Sequence, residues 1–314
     1  MPIKIPDTLP ARSVLEKEHI FVMTELRALH QDIRPLRIAL VNLMPTKITT
    51  ETQILRCLAN TPLQIEVDLV QMSSHQSKNT PQDHLLHFYE TFEEIRERVY
   101  DGCIITGAPV EFLDYEQVDY WPELCELFEW TRTNVHSTLH ICWGAQAGLY
   151  YHYGIPKYVL PQKLFGIFPH TALNKKSRLF RGFDDVYWAP HSRNTEVRAA
   201  DIEKVPQLRL LSVSEEAGVH IVGDQEGHQF FVMGHSEYDT MTLDGEYHRD
   251  LKKGLPIAMP RHYYPRNDPS RTPVNNWRAT GQLLYTNWLN YFVYQTTPFN
   301  LKTMDNESLD CSML

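Results

Sequence analysis

The chain has 314 residues, 42% hydrophobic and 22% charged, with a formal net charge of −9 at pH 7, which suits a globular chain with a sizeable core. The acidic balance argues against a nucleic-acid partner, no apolar run is long enough to span a bilayer, and the acidic, proline-marked stretch Met1 to Met23 lacks the order of a signal peptide. Five cysteines at 57, 103, 125, 142 and 311 form no CxxC pair, so a reducing cytoplasm fits better than a disulfide framework or a zinc site.

Residues 1–35 read as an extended N-terminal arm with one short helix, because Pro10 and Pro35 bracket an amphipathic stretch. Leu36 to Leu43 is an apolar run ended by Pro45 and is expected to be a buried strand. Thr46 to Asn60 is expected to be a helix, and Leu63 to Met72 a second strand with Ile65, Val67 and Leu69 alternating. Residues 73–82 read as a loop and Asp83 to Tyr100 as one helix. His84 and His87 could share a face of that helix, but two isolated ligands do not make a metal site, and none is expected. Asp101 to Gly107 is a third strand, Val118 to Thr133 a helix with Trp121, Leu124, Leu127, Phe128 and Thr131 on one stripe, and Thr138 to Ile141 a fourth strand. Strands alternating with helices imply βαβ units and a mostly parallel sheet covered on both faces.

The later runs Lys163 to Phe168, Val186 to Trp188, Leu208 to Val213, Val219 to Val222 and Gln229 to Met233 are short and close together, which suggests antiparallel strands added to that sheet. Asn275 to Tyr294 should be a closing helix. A single α/β domain is thus expected over 36–302, with a polar tail over 303–314.

Two segments carry chemistry. In His140-Ile141-Cys142-Trp143-Gly144-Ala145-Gln146-Ala147-Gly148 a short strand ends on a cysteine and small residues open a helix straight after it. This is a nucleophile elbow with thiol in place of hydroxyl. The helix aims backbone N–H groups and positive dipole at the sulfur, which favours thiolate, and Gly144 permits close approach. Cys57, Cys103 and Cys125 read instead as structural thiols. The second segment, Phe230-Phe231-Val232-Met233-Gly234-His235-Ser236-Glu237, is a strand running into His-x-Glu. A nucleophilic cysteine needs a base and the base needs an orienting carboxylate, and His235 and Glu237 are of the types required.

Cys142-x-Gly144-x-Gln146 with His235-x-Glu237 resembles the triad of class I glutamine amidotransferases, on a flavodoxin-like sheet. The wider sequence, from residue 1 to about 300, resembles a narrower family, the homoserine O-acyltransferases of methionine biosynthesis. The resemblance rests on Val41-Asn42-Leu43-Met44-Pro45-Thr46-Lys47, Thr106-Gly107-Ala108-Pro109, the Cys142 segment, Lys163-Leu164-Phe165-Gly166, Pro190-His191-Ser192-Arg193 and Gly234-His235-Ser236-Glu237-Tyr238-Asp239, in the expected order. It implies that Cys142 carries the acyl group as a thioester, that His235 is the general base and Glu237 its orienter, and that Lys163, Ser192 and Arg249 hold the amino-acid substrate. Those residue types suit a substrate with a carboxylate and a hydroxyl. The Trp143 N–H and one from the loop Gly107-Ala108-Pro109-Val110 are the natural oxyanion-hole donors.

The resemblance further implies acetyl-CoA and L-homoserine as substrates, with no other cofactor. In the family a glycine after the Gly-Ala-Pro-Val loop goes with succinyl transfer and a glutamate with acetyl transfer, and this chain has Glu111 there. A succinyl group would bring its distal carboxylate against the like charge of Glu111. Serine as acceptor stays open, since one methylene gives little discrimination. A glutaminase on the same triad and a non-catalytic protein on the same fold also remain as alternatives, and a homodimer is compatible with these features.

Overall fold

The structure, a computed structural model, describes residues 3–6, 8–18, 23–24, 34–75 and 79–297. Its first part contains β1 (Ile3–Ile5), α1 (Pro10–Lys17), β2 (Met23–Thr24), β3 (Leu36–Val41), α2 (Lys47–Leu58), β4 (Ile65–Gln71), α3 (Gln82–Phe88), β5 (Tyr89–Thr91), β6 (Tyr100–Ile105), α4 (Trp121–Asn134), β7 (Val135–Ile141) and α5 (Trp143–Tyr153). The second part adds β8 (Tyr158–Ala172), β9 (Tyr187–Glu196), β10 (Leu208–Ser214), β11 (Gly218–Asp224), β12 (Gln229–Val232), α6 (Thr242–Lys252) and α7 (Arg278–Trp288). The strands form one twelve-stranded sheet in the order β2-β1-β4-β3-β6-β7-β12-β11-β10-β8-β9, with β5 against β4. Pairing is parallel from β2 through β12 and antiparallel from β12 to β9. The expected fold class, a mostly parallel α/β sheet with antiparallel additions, is what the chain forms.

Alternation along the central strands divides the core into two layers. Ile38, Leu40, Ile104 and Leu139 face a layer closed by Leu55 and Leu58 of α2 and by Leu284 and Trp288 of α7. Ala39, Val41, Cys103 and Ile105 face the other, closed by Leu124, Leu127 and Phe128 of α4 and by Trp143 and Ala147 of α5. Burial on both faces explains why these strands read as continuous apolar runs. Among the described residues no helix is long and apolar enough to cross a membrane.

Several elements differ from expectation. Asp83 to Tyr100 is not one helix: α3 ends at Phe88, and Tyr89 turns into the sheet, where β5 pairs with β4 and the Tyr89 hydroxyl donates to buried Glu51 at 2.8 Å. Helix restarts for one turn at Phe92–Ile95, where the Thr91 N–H and hydroxyl both donate to Glu94, at 2.7 and 2.8 Å. That Thr-x-x-Glu capping box was the signal of the break. Strands β8 and β9 are much longer than the apolar runs inside them, because Pro161, Pro169 and Pro190 sit within them. Prolines are tolerated near the margin of a sheet, and β9 is its last strand. Strand β12 is antiparallel to β11 but parallel to β7. Helix α6 was not expected at all: its apolar stripe is only Leu243, Tyr247 and Leu251, and of these Leu243 alone is buried. The closing helix continues into a π-helical turn, Leu289–Tyr294. The polar tail expected at 303–314 lies outside the described residues.

Candidate active site

Strand β7 delivers Cys142 to the carboxyl end of the sheet, directly before α5. The residue has φ 51° and ψ −115°, a conformation that L side chains rarely adopt and that marks a strained strand-to-helix turn. Two backbone bonds hold it there: the Cys142 N–H donates to the Val232 carbonyl at 2.7 Å, and the Gln146 N–H donates to the Cys142 carbonyl at 3.1 Å. The turn also depends on Gly144, where a Cβ would lie 2.5 Å from the Thr106 carbonyl oxygen, so the first turn of α5 can press against the end of β6. At Gly107 a Cβ would lie 3.1 Å from Cys142 Cβ and 3.6 Å from the Trp143 nitrogen. The 107 loop and the Trp143 nitrogen therefore lie together beside Cys142.

Parallel pairing of β12 with β7, with Val232 opposite Ile141, brings the segment after β12 alongside the elbow. Gly234 leaves room there, since a Cβ would meet His220 Nε2 and the Pro190 oxygen at 2.9 Å each. The His235 N–H donates to the Pro190 carbonyl at 2.8 Å. The buried His235 ring then lies against Cys142 on one side and bonds Glu237 on the other, with Nδ1 to Oε1 at 2.7 Å. Tyr238 stacks on the same ring, centroids 4.1 Å apart at 13°. Burial opposes a charged His235, but the Cys142 sulfur and the Glu237 carboxylate outweigh it and hold the ring protonated well above the usual histidine range. The three residues expected to act together are thus joined in one line, Cys142 to His235 to Glu237.

Strand β9 brings two further groups to the cleft. Its burial alternates, with His191, Arg193 and Thr195 buried and Ser192 and Asn194 half-buried between them. Asn194 clamps Glu111: its backbone N–H lies 3.0 and 3.1 Å from the two carboxylate oxygens, and its Nδ2 donates to Oε2 at 2.8 Å. Ser192 donates to Glu246 Oε2 at 2.6 Å, and Lys163 Nζ lies 3.3 Å from the same oxygen. Lys163 and Ser192 therefore converge, as expected, but on a glutamate of α6 that the sequence did not single out. Arg249 sits one turn further along α6 and spends its Nε–H on Asp250 at 2.7 Å. Asn194 and Glu246 were missed because neither belongs to a motif. The faint signal for α6 was Asp244 in its first turn and Arg249 and Lys252 in its last, which suits a helix dipole. His84 and His87 do not face a common ligand: His84 bonds Glu51, and His87 bonds the Asp83 carbonyl.

A family model described as homoserine O-succinyltransferase matches residues 2–299. A homoserine O-acetyltransferase of Acetivibrio thermocellus is 60% identical over 97% of this chain and 100% of its own length. One from Brevibacillus brevis is 61% identical over 96% of this chain and 98% of its own. Among solved structures, a glutamine amidotransferase from Thermotoga maritima superposes with a TM-score of 0.54 at 14% identity, covering 83% of this chain and 100% of that one. At that identity the likeness concerns the fold alone.

Proposed function

Since the chain belongs to the homoserine O-succinyltransferase family, we propose that it transfers an acetyl group from acetyl-CoA to the hydroxyl of L-homoserine, through a thioester on Cys142, as a step toward methionine. The observation that carries this reading is the line Cys142–His235–Glu237 at the carboxyl end of the sheet. The Cys142 thiolate attacks the acetyl carbonyl. The tetrahedral oxyanion is met by the Trp143 N–H and the 107 loop, and CoA leaves with the proton from His235. Acylation neutralises the sulfur, and with it goes the largest favourable contribution to the charged ring. With its proton given to CoA, His235 is neutral and ready to take the proton of the homoserine hydroxyl. The alkoxide attacks the thioester, and the thiolate–imidazolium pair is restored.

Homoserine is a zwitterion. Lys163 and Arg249 suit its carboxylate, and Glu246 suits its ammonium, with Ser192 fixing the Glu246 oxygen. The reading is tested by mixing the protein with acetyl-CoA in the absence of acceptor and measuring intact mass. An acetyl group on Cys142 is expected, and an unmodified chain would overturn the mechanism.

Acetyl as donor rests on Glu111. Its carboxylate is tied on both oxygens by Asn194, so it cannot swing away from a longer acyl chain. A succinyl group would meet like charge in a partly desolvated pocket. Glu111→Gly is expected to move the succinyl-CoA to acetyl-CoA ratio of kcat/KM by about tenfold or more toward succinyl. An unchanged ratio would place donor choice elsewhere.

Glu237 has a pH signature. It is one of the charges that raise His235, so Glu237→Gln lowers the pH at which the ring loses its proton. Acylation needs the protonated ring and fails as pH rises through that value. The alkaline limb of kcat/KM for acetyl-CoA should therefore shift to lower pH in the variant. A limb that stays in place would remove Glu237 from the triad.

A further inference from the structure

Arg193 lies at the centre of β9, fully buried on the face opposite Ser192 and Asn194. Its guanidinium is held by neutral acceptors: Nη1 donates to the Thr195 carbonyl, Nη2 to the Ala217 carbonyl at 2.6 Å, and Nε to His191 Nδ1 at 3.4 Å. Among the described residues no carboxylate is within ion-pair distance of it. A cation so placed is costly unless an anion lies near.

The hydrogen bonds of Arg193 lead to the Cys142 elbow, through Thr195 and Gln146. Burial works to discharge the arginine; Cys142 opposes this most, followed by Glu196 and Glu111. The arginine is also tied to the elbow: the Thr195 carbonyl accepts a second bond from Gln146 Nε2 at 3.2 Å, and the Thr195 hydroxyl donates to Gln146 Oε1 at 2.7 Å. Gln146 in turn holds the Cys142 carbonyl. His170, His191 and His220 pack around the same region with ring nitrogens within 4.8 Å of one another. Burial, with Arg193 adding to it, pushes all three below the usual histidine range, His170 to about 3, so they stay neutral. The same guanidinium makes the trio a poor seat for a divalent cation, because His191 Nδ1 already accepts from it.

We propose that Arg193 is a positioning residue whose buried charge balances the Cys142 thiolate. This rests on the reading of Cys142 as the acyl-carrying nucleophile. A residue that served only packing would leave the ionisation of the thiol untouched.

The test is the rate of alkylation of Cys142 by iodoacetamide across pH, followed on the Cys142 peptide by mass, in the full chain without substrate. Arg193→Met is expected to raise the midpoint of the profile by about one pH unit or more. At a pH below the wild-type midpoint its alkylation should be slower by about tenfold, as that shift implies. Arg193→Lys keeps the charge and should keep most of the wild-type midpoint. Glu196→Gln removes a surface carboxylate that offsets Arg193 and should lower the midpoint by a fraction of a unit. An unchanged midpoint in folded Arg193→Met, or an equal rise in Arg193→Lys, would overturn the proposal. If melting curves show that Arg193→Met does not fold, Glu196→Gln decides, and a midpoint that does not fall overturns it. Failure of the underlying reading looks different: wild-type Cys142 would then take no acetyl group from acetyl-CoA.

Discussion

Cys142→Ser is expected to fold like the wild type and to lose activity by roughly 10⁴-fold or more, the scale on which removal of a nucleophile acts. The backbone of the elbow is fixed by the bonds to Val232 and Gln146 and by the bare Gly144, none of which involve the sulfur. The side chain is the sole change. A hydroxyl gives up its proton far less readily than a thiol, so the attacking anion is much harder to form. The largest of the contributions that raise His235 is lost with the sulfur, which weakens the ring as proton donor to the leaving CoA. The check is twofold: steady-state rates with acetyl-CoA and homoserine, and intact mass after acetyl-CoA alone. In the wild type, reciprocal plots at several acetyl-CoA concentrations should be parallel, as a covalent intermediate demands. Intersecting lines, or a serine variant with substantial turnover, would favour direct transfer between the two substrates.

His235→Asn should slow acylation by at least about a hundredfold, within the range of general-base loss. Asparagine preserves the backbone bond to Pro190, so the loop after β12 keeps its course. It cannot hold a proton between Cys142 and Glu237, and it surrenders the stacked face offered by Tyr238. Both half-reactions should suffer, since the ring donates in the first and accepts in the second. Acetyl-enzyme formed on long incubation should therefore persist after homoserine is added. Single-turnover release of CoA measures the first step, and decay of the acetyl adduct measures the second. Acylation within a few-fold of wild type would mean that another group activates Cys142.

Much of this was legible in the sequence because the governing physics is local. A strand buried on both faces is mostly apolar, so the strands expected over Leu36 to Leu43 and Asp101 to Gly107 were readable, and they formed over Leu36–Val41 and Tyr100–Ile105. A strand ending on cysteine and followed by small residues can turn sharply into a helix, so the elbow was readable from Cys142 to Gly148. His-x-Glu carried the right chemistry two residues apart, although its distance to Cys142 was not contained in the spacing. What the tertiary structure decided depends on register and on which face of a strand is covered. Parallel pairing of β12 with β7 set His235 beside Cys142, and alternation along β9 sent Ser192 and Asn194 to the cleft and Arg193 beneath it. The partners of those side chains come from distant segments: Glu111 for Asn194 across 83 residues, Glu246 for Ser192 across 54. Helix α6, which supplies Glu246, leaves only the thin stripe Leu243, Tyr247 and Leu251, and Tyr89 left a helical pattern because a sheet edge offered it a strand and Glu51 a hydrogen bond. Local sequence encodes element type through propensity and periodicity. The meeting of charges between elements is set only when the sheet closes and fixes register, and that is where the partners of Ser192, Asn194 and Arg193 were settled.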